Sequence, residues 1–315
     1  MRHTGSGTAA AASRPEKGVA IVLAMGVAAM AAMAATAIMV TQSTWMRQRE
    51  LSAGHAQAQV LVQTGLDWVR VVLSEDRRTT AVDHLGEPWA LRLAPVPVEQ
   101  GELAGYIEDQ QGRFNLNNLV SGGKVSPSHL AQFKRLLAVL ELPAELAEAL
   151  ADWIDADSEP QPLGGAESEY YLALDPPYLA ANRPLVDASE LALVRGFDDV
   201  VRARLGPFVT ALPRSTLVNV NTAPAEVLAA TIEGMDLDVA RGLVAQRERA
   251  YFRSADDFIS RLTRGLAVSP GNISVRSDYF LVTMRVTIGE AQARGTALLV
   301  SDGAAWPTVI WRKYL

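Results

Sequence analysis

Residues 16–40 read EKGVAIVLAMGVAAMAAMAATAIMV. From Val19 to Val40 there are 22 residues without a charge. As a helix at ~1.5 Å per residue the run is ~33 Å long, enough to cross a hydrocarbon core of ~30 Å. Ala and Met make it a mildly hydrophobic span. Residues 1–18 hold Arg2, Arg14 and Lys17 against Glu16, a charge of +2 ahead of a large acidic remainder. That asymmetry places the leader in the cytoplasm and the rest outside. Three readings compete: a secretory signal cut near Ala35-Thr36-Ala37, a plain membrane anchor, or a leader cut before the apolar run, between Gly18 and Val19. The first fits poorly, because the run exceeds the usual signal core of ~7–15 residues.

A charged leader ending in glycine and leading directly into the span resembles the type IV prepilin signal. The residues beyond the span favour that reading. No proline occurs between Pro15 and Pro88. Leu61, Trp68, Val69 and Val72 continue a helical stripe beyond the membrane. The expectation is one helix from about 19 to 75, ~85 Å long, apolar all round in its first half and amphipathic in its second, as in a pilin stem.

The whole chain has 315 residues, 49% hydrophobic and 20% charged, which is globular composition with room for two domains. With no cysteine there is no disulfide, zinc–thiolate site, iron–sulfur cluster or cysteine nucleophile. The net charge of −6 disfavours a broad electrostatic grip on nucleic acid. Four scattered histidines give a histidine metal site or triad little to draw on.

Downstream, the pattern predicts strands at 90–93, Gly105–Asp109 and 113–117, with a turn at 109–112. Ser126-Pro127 marks a helix start with Leu130, Phe133, Leu137 and Leu140 on one face. Pro143 opens a second helix carrying Leu146, Leu150, Trp153 and Ile154. A Pro- and Gly-containing loop runs from Asp155 to about Leu185, and short helices resume near 188–194 and 197–205. Residues 217–265 repeat the design: Asn219-Val220-Asn221-Thr222 echoes Asn115-Leu116-Asn117-Asn118, each after a strand-like run and before a helix pair. Ser254-Ala255-Asp256-Asp257 has capping-box spacing, with Asp in place of Glu. The C-terminal part reads as a hairpin, 279–286 with 296–300, and a closing strand at 309–311. The fold is therefore expected to be α+β: a long N-terminal transmembrane and stem helix, a pilin-like α/β head and a large inserted all-helical domain. The expected divisions are a leader at 1–18, the membrane part of the stem at 19–40, the rest of the stem and the first part of the head at 41–119, the insertion at 120–270, and the closing strands at 271–315.

Four segments behind that leader carry a family resemblance: Asn115-Leu116-Asn117-Asn118-Leu119; Asp152-Trp153-Ile154-Asp155-Ala156-Asp157 with Gly165-Ala166-Glu167 and Tyr170-Tyr171; Pro177-Tyr178 with Ala181-Asn182 and Ser189-Glu190-Leu191; and Asn219-Val220-Asn221-Thr222-Ala223. In this order they resemble the general secretion pathway protein K family, the minor pseudopilin K of type II secretion. The resemblance implies a non-enzymatic part of a tip complex with minor pseudopilins I and J, which starts and caps the pseudopilus during export of folded proteins. It further implies contact with other pseudopilins and the inner-membrane secretion platform. Processing by prepilin peptidase would cut between Gly18 and Val19, with methylation of Val19. The location would be the inner membrane, single-pass, with a periplasmic C-terminal region. Leu23 stands fifth from that cut, where most pilins carry glutamate. A carboxylate in an apolar bundle is costly without a partner, so leucine suits a subunit with no neighbour above it. It equally suits a lipid-facing position in an anchor.

The most chemical-looking segment is the loop holding Asp155, Asp157 and Glu159, with Glu167 beyond. Oxygen ligands at alternate positions suit calcium, which takes ~6–8 oxygens. Pro160 and Ala166 stand where an EF-hand needs glycine and glutamate, so the loop is not an EF-hand. Calcium in the inserted domain of family relatives supports these four as calcium ligands; a solvated acidic loop is the plain alternative. Asp152 reads as a helix-end residue. The Asn-x-Asn helix pairs also suggest a membrane-tethered helix-hairpin-helix nucleic-acid binder, with Arg241, Arg247, Arg249 and Arg253 as its basic face. Against that, Asp236 replaces the second glycine of the hairpin, and loss of the leader leaves a charge of −8. No nucleic-acid partner is expected. There is no Walker loop, G-x-S-x-G or H-E-x-x-H, and the chain reads as no enzyme.

Overall fold

The computed structural model describes residues 15–98, 101–263, 265–266, 268–303 and 306–314. Residues 1–14 of the expected leader lie outside them. Helix α1 spans Pro15–Thr79, 65 residues without a break, or ~98 Å. It begins ahead of the expected cut and runs four residues past the expected end. Every residue of the helix from 18 to 50 is exposed. Its second half buries Ala58, Val62, Leu66, Val69 and Leu73 to 2% exposure or less. That spacing of three and four makes one stripe. Trp68, expected in the stripe, is 55% exposed; the helix turns it aside once Val69 faces the sheet.

The stripe lies on a five-stranded antiparallel sheet of β1 (Leu93–Val98), β2 (Gly101–Asp109), β3 (Tyr279–Ile288), β4 (Ala291–Val300) and β5 (Thr308–Tyr314), ordered as they occur in the chain. Alternation decides the face. Phe280, Val282, Met284 and Val286 on β3, with Ala293, Ala297 and Leu299 on β4, point at α1, and the register Phe280↔Leu299, Val282↔Ala297, Val286↔Ala293 keeps them in rows. Each large side chain so buried contributes about 1.5–3 kcal/mol. Gly295 sits in these rows because a Cβ there would lie 2.3 Å from Val62 Cγ1; its absence lets the helix touch the sheet.

The insertion enters after β2 and returns at β3, strands that pair directly from Gly101↔Ile288 to Asp109↔Phe280. It therefore spans 110–278, wider than the expected 120–270. Two short parallel pairings explain the difference. Phe114–Asn115 pairs with Val209–Thr210, and Val218–Asn219 with Ile273–Ser274. Phe114–Asn115 and Ile273–Ser274 fall in the expected head but bond within the insertion.

Inside it are α2 (Pro127–Val139), α3 (Leu146–Ile154), α4 (Ser168–Leu172), α5 (Asp199–Leu205), α6 (Ala225–Thr231), α7 (Leu237–Arg249) and α8 (Ala255–Ser260), plus 3-10 turns such as Ala188–Leu193. All of α3 is buried, with Glu148 paired to Lys134. At α8, Ser254 caps the Asp257 N–H at 3.0 Å, while the Asp257 carboxylate accepts from the Arg253 N–H rather than completing a box.

The internal echo is structural. Asn115 Oδ1 accepts from Asn117 N at 3.2 Å, and Asn219 Oδ1 from Asn221 N at 2.9 Å. The second Asn of each pair clamps a distant backbone at both edges. Asn117 donates to Leu185 O (2.9 Å) and accepts from Leu185 N (2.8 Å); Asn221 does the same with Phe252 at 2.9 and 2.8 Å. A buried polar neck joins the insertion to the head. Asp109 Oδ2 accepts from Asn219 Nδ2 (3.1 Å), Ser277 Oγ (2.6 Å) and Thr222 Oγ1 (2.5 Å).

Candidate functional site

The acidic loop leaves the C-terminus of α3 and is folded back by α4. Asp155, the C-cap of α3, is 1% exposed, and neither of its carboxylate oxygens has a partner. Glu167, the N-cap of α4, is 6% exposed, and both of its oxygens are likewise unpartnered. With Asp157 they bring one oxygen each within 4.8 Å of one another. Calcium at ~2.3–2.6 Å from each ligand spans such a separation. Burial pushes Asp155 up to about 7, helped by the charges of Asp157, Asp152 and Glu167. Burial also raises Glu167, to about 6, with Asp152 adding to it. Two buried carboxylates without hydrogen bonds are costly alone and are satisfied by a cation. The residues present thus fit calcium, with Asp155, Asp157 and Glu167 as the group that would hold it. Bound there, it would supply charge neutralisation and order the loop.

Glu159, the fourth expected ligand, is exposed and is not in this group; its backbone N–H donates to Asp157 Oδ1 at 3.0 Å. Asp152 does more than end a helix. It is fully buried, and both its oxygens accept from Gln161 N at 3.1 Å. A Cβ on Gly165 would meet Asp152 Oδ2 at 2.3 Å, so only glycine lets the loop close over it. Asn182 also joins the loop: Nδ2 donates to Asp157 O at 2.8 Å and Oδ1 is buried without a partner.

The processing residues lie in α1. Gly18 has open space where a Cβ would go. Val19 is 61% and Leu23 64% exposed. The helix is long and apolar enough to cross a membrane. Thr36 and Thr41 return their hydroxyls to Ala32 O and Ala37 O at 2.8 Å, which satisfies them without water.

Two of the four arginines read as a basic face are engaged within the chain. Arg247 turns inward and donates to Val220 O and Ala223 O at 2.8 and 2.5 Å; burial lowers it to about 10. Arg241 pairs with Asp238 at 2.9 Å. Asp236 caps α7 by accepting from Asp238 N, which puts a carboxylate where a phosphate would have to sit.

The family described as "Type II secretion system (T2SS), protein K" matches this chain over residues 112–214 and again over 218–276. The two matches coincide with the two Asn-x-Asn units. Among curated proteins, the chain is 39% identical to the type II secretion system protein K of Pseudomonas aeruginosa, over 88% of this chain and 86% of that one. It is 32% identical to the protein K of Klebsiella pneumoniae, over 95% and 96% of the two. Among solved structures it matches a chain of the GspK-GspI-GspJ complex from the enterotoxigenic Escherichia coli type 2 secretion system. There the TM-score is 0.75 at 29% identity, covering 85% of this chain and 99% of that one. An unbroken apolar stem, a sheet that receives it and an insertion built of two Asn-clamped units are thus found together with these likenesses, and the chain belongs to the type II secretion system protein K family, the minor pseudopilins K.

Proposed function

We propose that this chain joins minor pseudopilins I and J in a tip complex, starts pseudopilus assembly at the inner membrane and caps the filament. In this reading the role is structural and not catalytic. Prepilin peptidase cuts between Gly18 and Val19, Val19 is methylated, and the body faces the periplasm. The observation that carries it is the contrast within α1. Residues 18–50 are wholly exposed although 19–40 are apolar, so other subunits or lipid must cover them. The likeness to a chain solved as part of the GspK-GspI-GspJ complex supports the choice of partners. Leu23 supports the tip position, since it asks for no ion-pair partner in the layer above. Calcium bound by Asp155, Asp157 and Glu167 orders the insertion.

Co-expression of the full chain with minor pseudopilins I and J should give a ternary complex in detergent. Pairs or separate proteins in its place would overturn the tip assignment. Amino-terminal sequencing from membranes should find methylated Val19 only when prepilin peptidase is present, and Gly18→Val should block the cut. A chain beginning near Ile38 would instead remove the stem from the filament.

A further inference from the structure

A second group of carboxylates lies at the neck, on the last turns of α1 and the segment leading to β1. Asp76, Asp83 and Glu87 each place an oxygen within 4.8 Å of the others. Asp83 and Glu87 are only 5% and 4% exposed. Asp83 Oδ2 is fixed by the Ser277 N–H at 2.8 Å, on the chain returning from the insertion. Glu87 Oε2 is fixed by the His84 N–H (2.9 Å) and the indole N–H of Trp89 (2.8 Å). Those bonds leave Glu87 Oε1 buried without any partner. The charge around the group does not balance. Asp109 acts on Asp83 as a further negative charge, while the positive groups that act on Asp76 are Arg77 and Arg276. Arg77 donates to Asp278 Oδ1 (2.8 Å) and Ser277 O (3.2 Å), and its Nε is buried without a partner.

The geometry points to a calcium site at this neck, with Asp76, Asp83 and Glu87 as its ligands. Three carboxylates with no nitrogen or sulfur donor suit a hard cation, and oxygens within 4.8 Å of one another can be held by calcium at ~2.3–2.6 Å per bond. The ion would tie the end of the stem to the segment that Ser277 fastens to the insertion. It shares no residue with the loop group and does not depend on it.

Calcium-45 equilibrium dialysis of the full chain in detergent micelles, at about 1 mM calcium chloride, tests this. Asp155→Asn/Glu167→Gln disables the loop group and should leave one ion per chain; adding Asp76→Asn/Glu87→Gln should leave none. The glutamine retains an oxygen for the His84 and Trp89 N–H groups. A loop variant that holds no ion overturns the neck site. So does an ion that survives the neck substitutions. Wild-type stoichiometry separates the two sites' failures: a single ion lost only on loop substitution sinks the neck, and one lost only on neck substitution sinks the loop. Terbium gives a second reading that requires no charge substitution. Trp89→Phe should remove part of the emission sensitised at 280 nm, because the indole contacts Glu87; unchanged emission would count against the site.

Discussion

The two Asn-x-Asn units of the insertion share a frame and differ in what they enclose. In each, the first asparagine turns the backbone and the second clamps a distant segment. The clamp reaches 68 residues in the first unit, from Asn117 to Leu185, and 31 in the second, from Asn221 to Phe252. The shorter unit closes on its own groups, with Arg247 holding Val220 O and Ala223 O and with Phe252 packed edge-on against Phe258. The longer one spends its extra chain on a loop whose buried carboxylate oxygens lack partners. A repeated clamp therefore sets the topology, and the length left free between its ends is where a binding site can be built.

The largest test of that comparison is removal of the clamps. Asn117→Ala leaves Leu185 N, Leu185 O and Leu212 O unbonded and should cost ~3–5 kcal/mol, at ~1–3 for each buried group stranded, with some relaxation. Asn221→Ala strands Phe252 N and O and should cost ~2–4 kcal/mol. Urea unfolding of the full chain in micelles measures both, and a larger loss from Asn221 would break the parallel. Next is metal removal. With calcium at about 100 times its Kd, chelation should lower the stability of the first unit by ~2.7 kcal/mol. Hydrogen exchange should show the loss in 155–185 and not in 237–252; equal loss in both would mean the units are not independent.

The pH effect in calcium-free protein is smaller. Asp155 and Glu167 rise in the folded state from 3.8 to about 7 and from 4.5 to about 6. Folding therefore favours their protonated forms. That contribution is complete below about pH 4 and is lost as pH rises through 6–7. Loop protection should fall by ~1–2 kcal/mol from pH 6 to pH 8, and Asp155→Asn/Glu167→Gln should flatten the dependence. Smallest of all, Glu159→Gln should change stability by less than ~0.5 kcal/mol and leave calcium binding intact, because only its backbone joins the loop. A loss of calcium would return Glu159 to the ligand set.

What could be read from the sequence was local. The apolar run, the Ser126-Pro127 helix start, the alternation of 279–286 and the paired asparagines each carry their cause within a few residues. What could not be read rests on partners far along the chain. Phe114–Asn115 looks like a head strand until Val209–Thr210 pairs with it. Trp68 looks like stripe until the angle of α1 on the sheet is known. Three of the four expected metal ligands converge because α4 swings Glu167 back to α3. Asp152 belongs to the loop through a contact with Gln161 that spacing alone does not reveal.

Asp109 and Ser277 are 168 residues apart in sequence and hydrogen-bonded in the structure. For a disordered chain, closing so long a loop is entropically harder than closing a hairpin turn of ~5 residues, by five doublings at ~0.6 kcal/mol each, or ~3 kcal/mol. An insertion that has already folded holds its own ends together, as the Asp278 N–H bond to Gln111 Oε1 does at 2.7 Å, and removes that penalty. Folding should thus run inward to outward: the guest first, the host sheet second, so that substitutions at Asn219 slow formation of the β2–β3 pair although neither strand is altered.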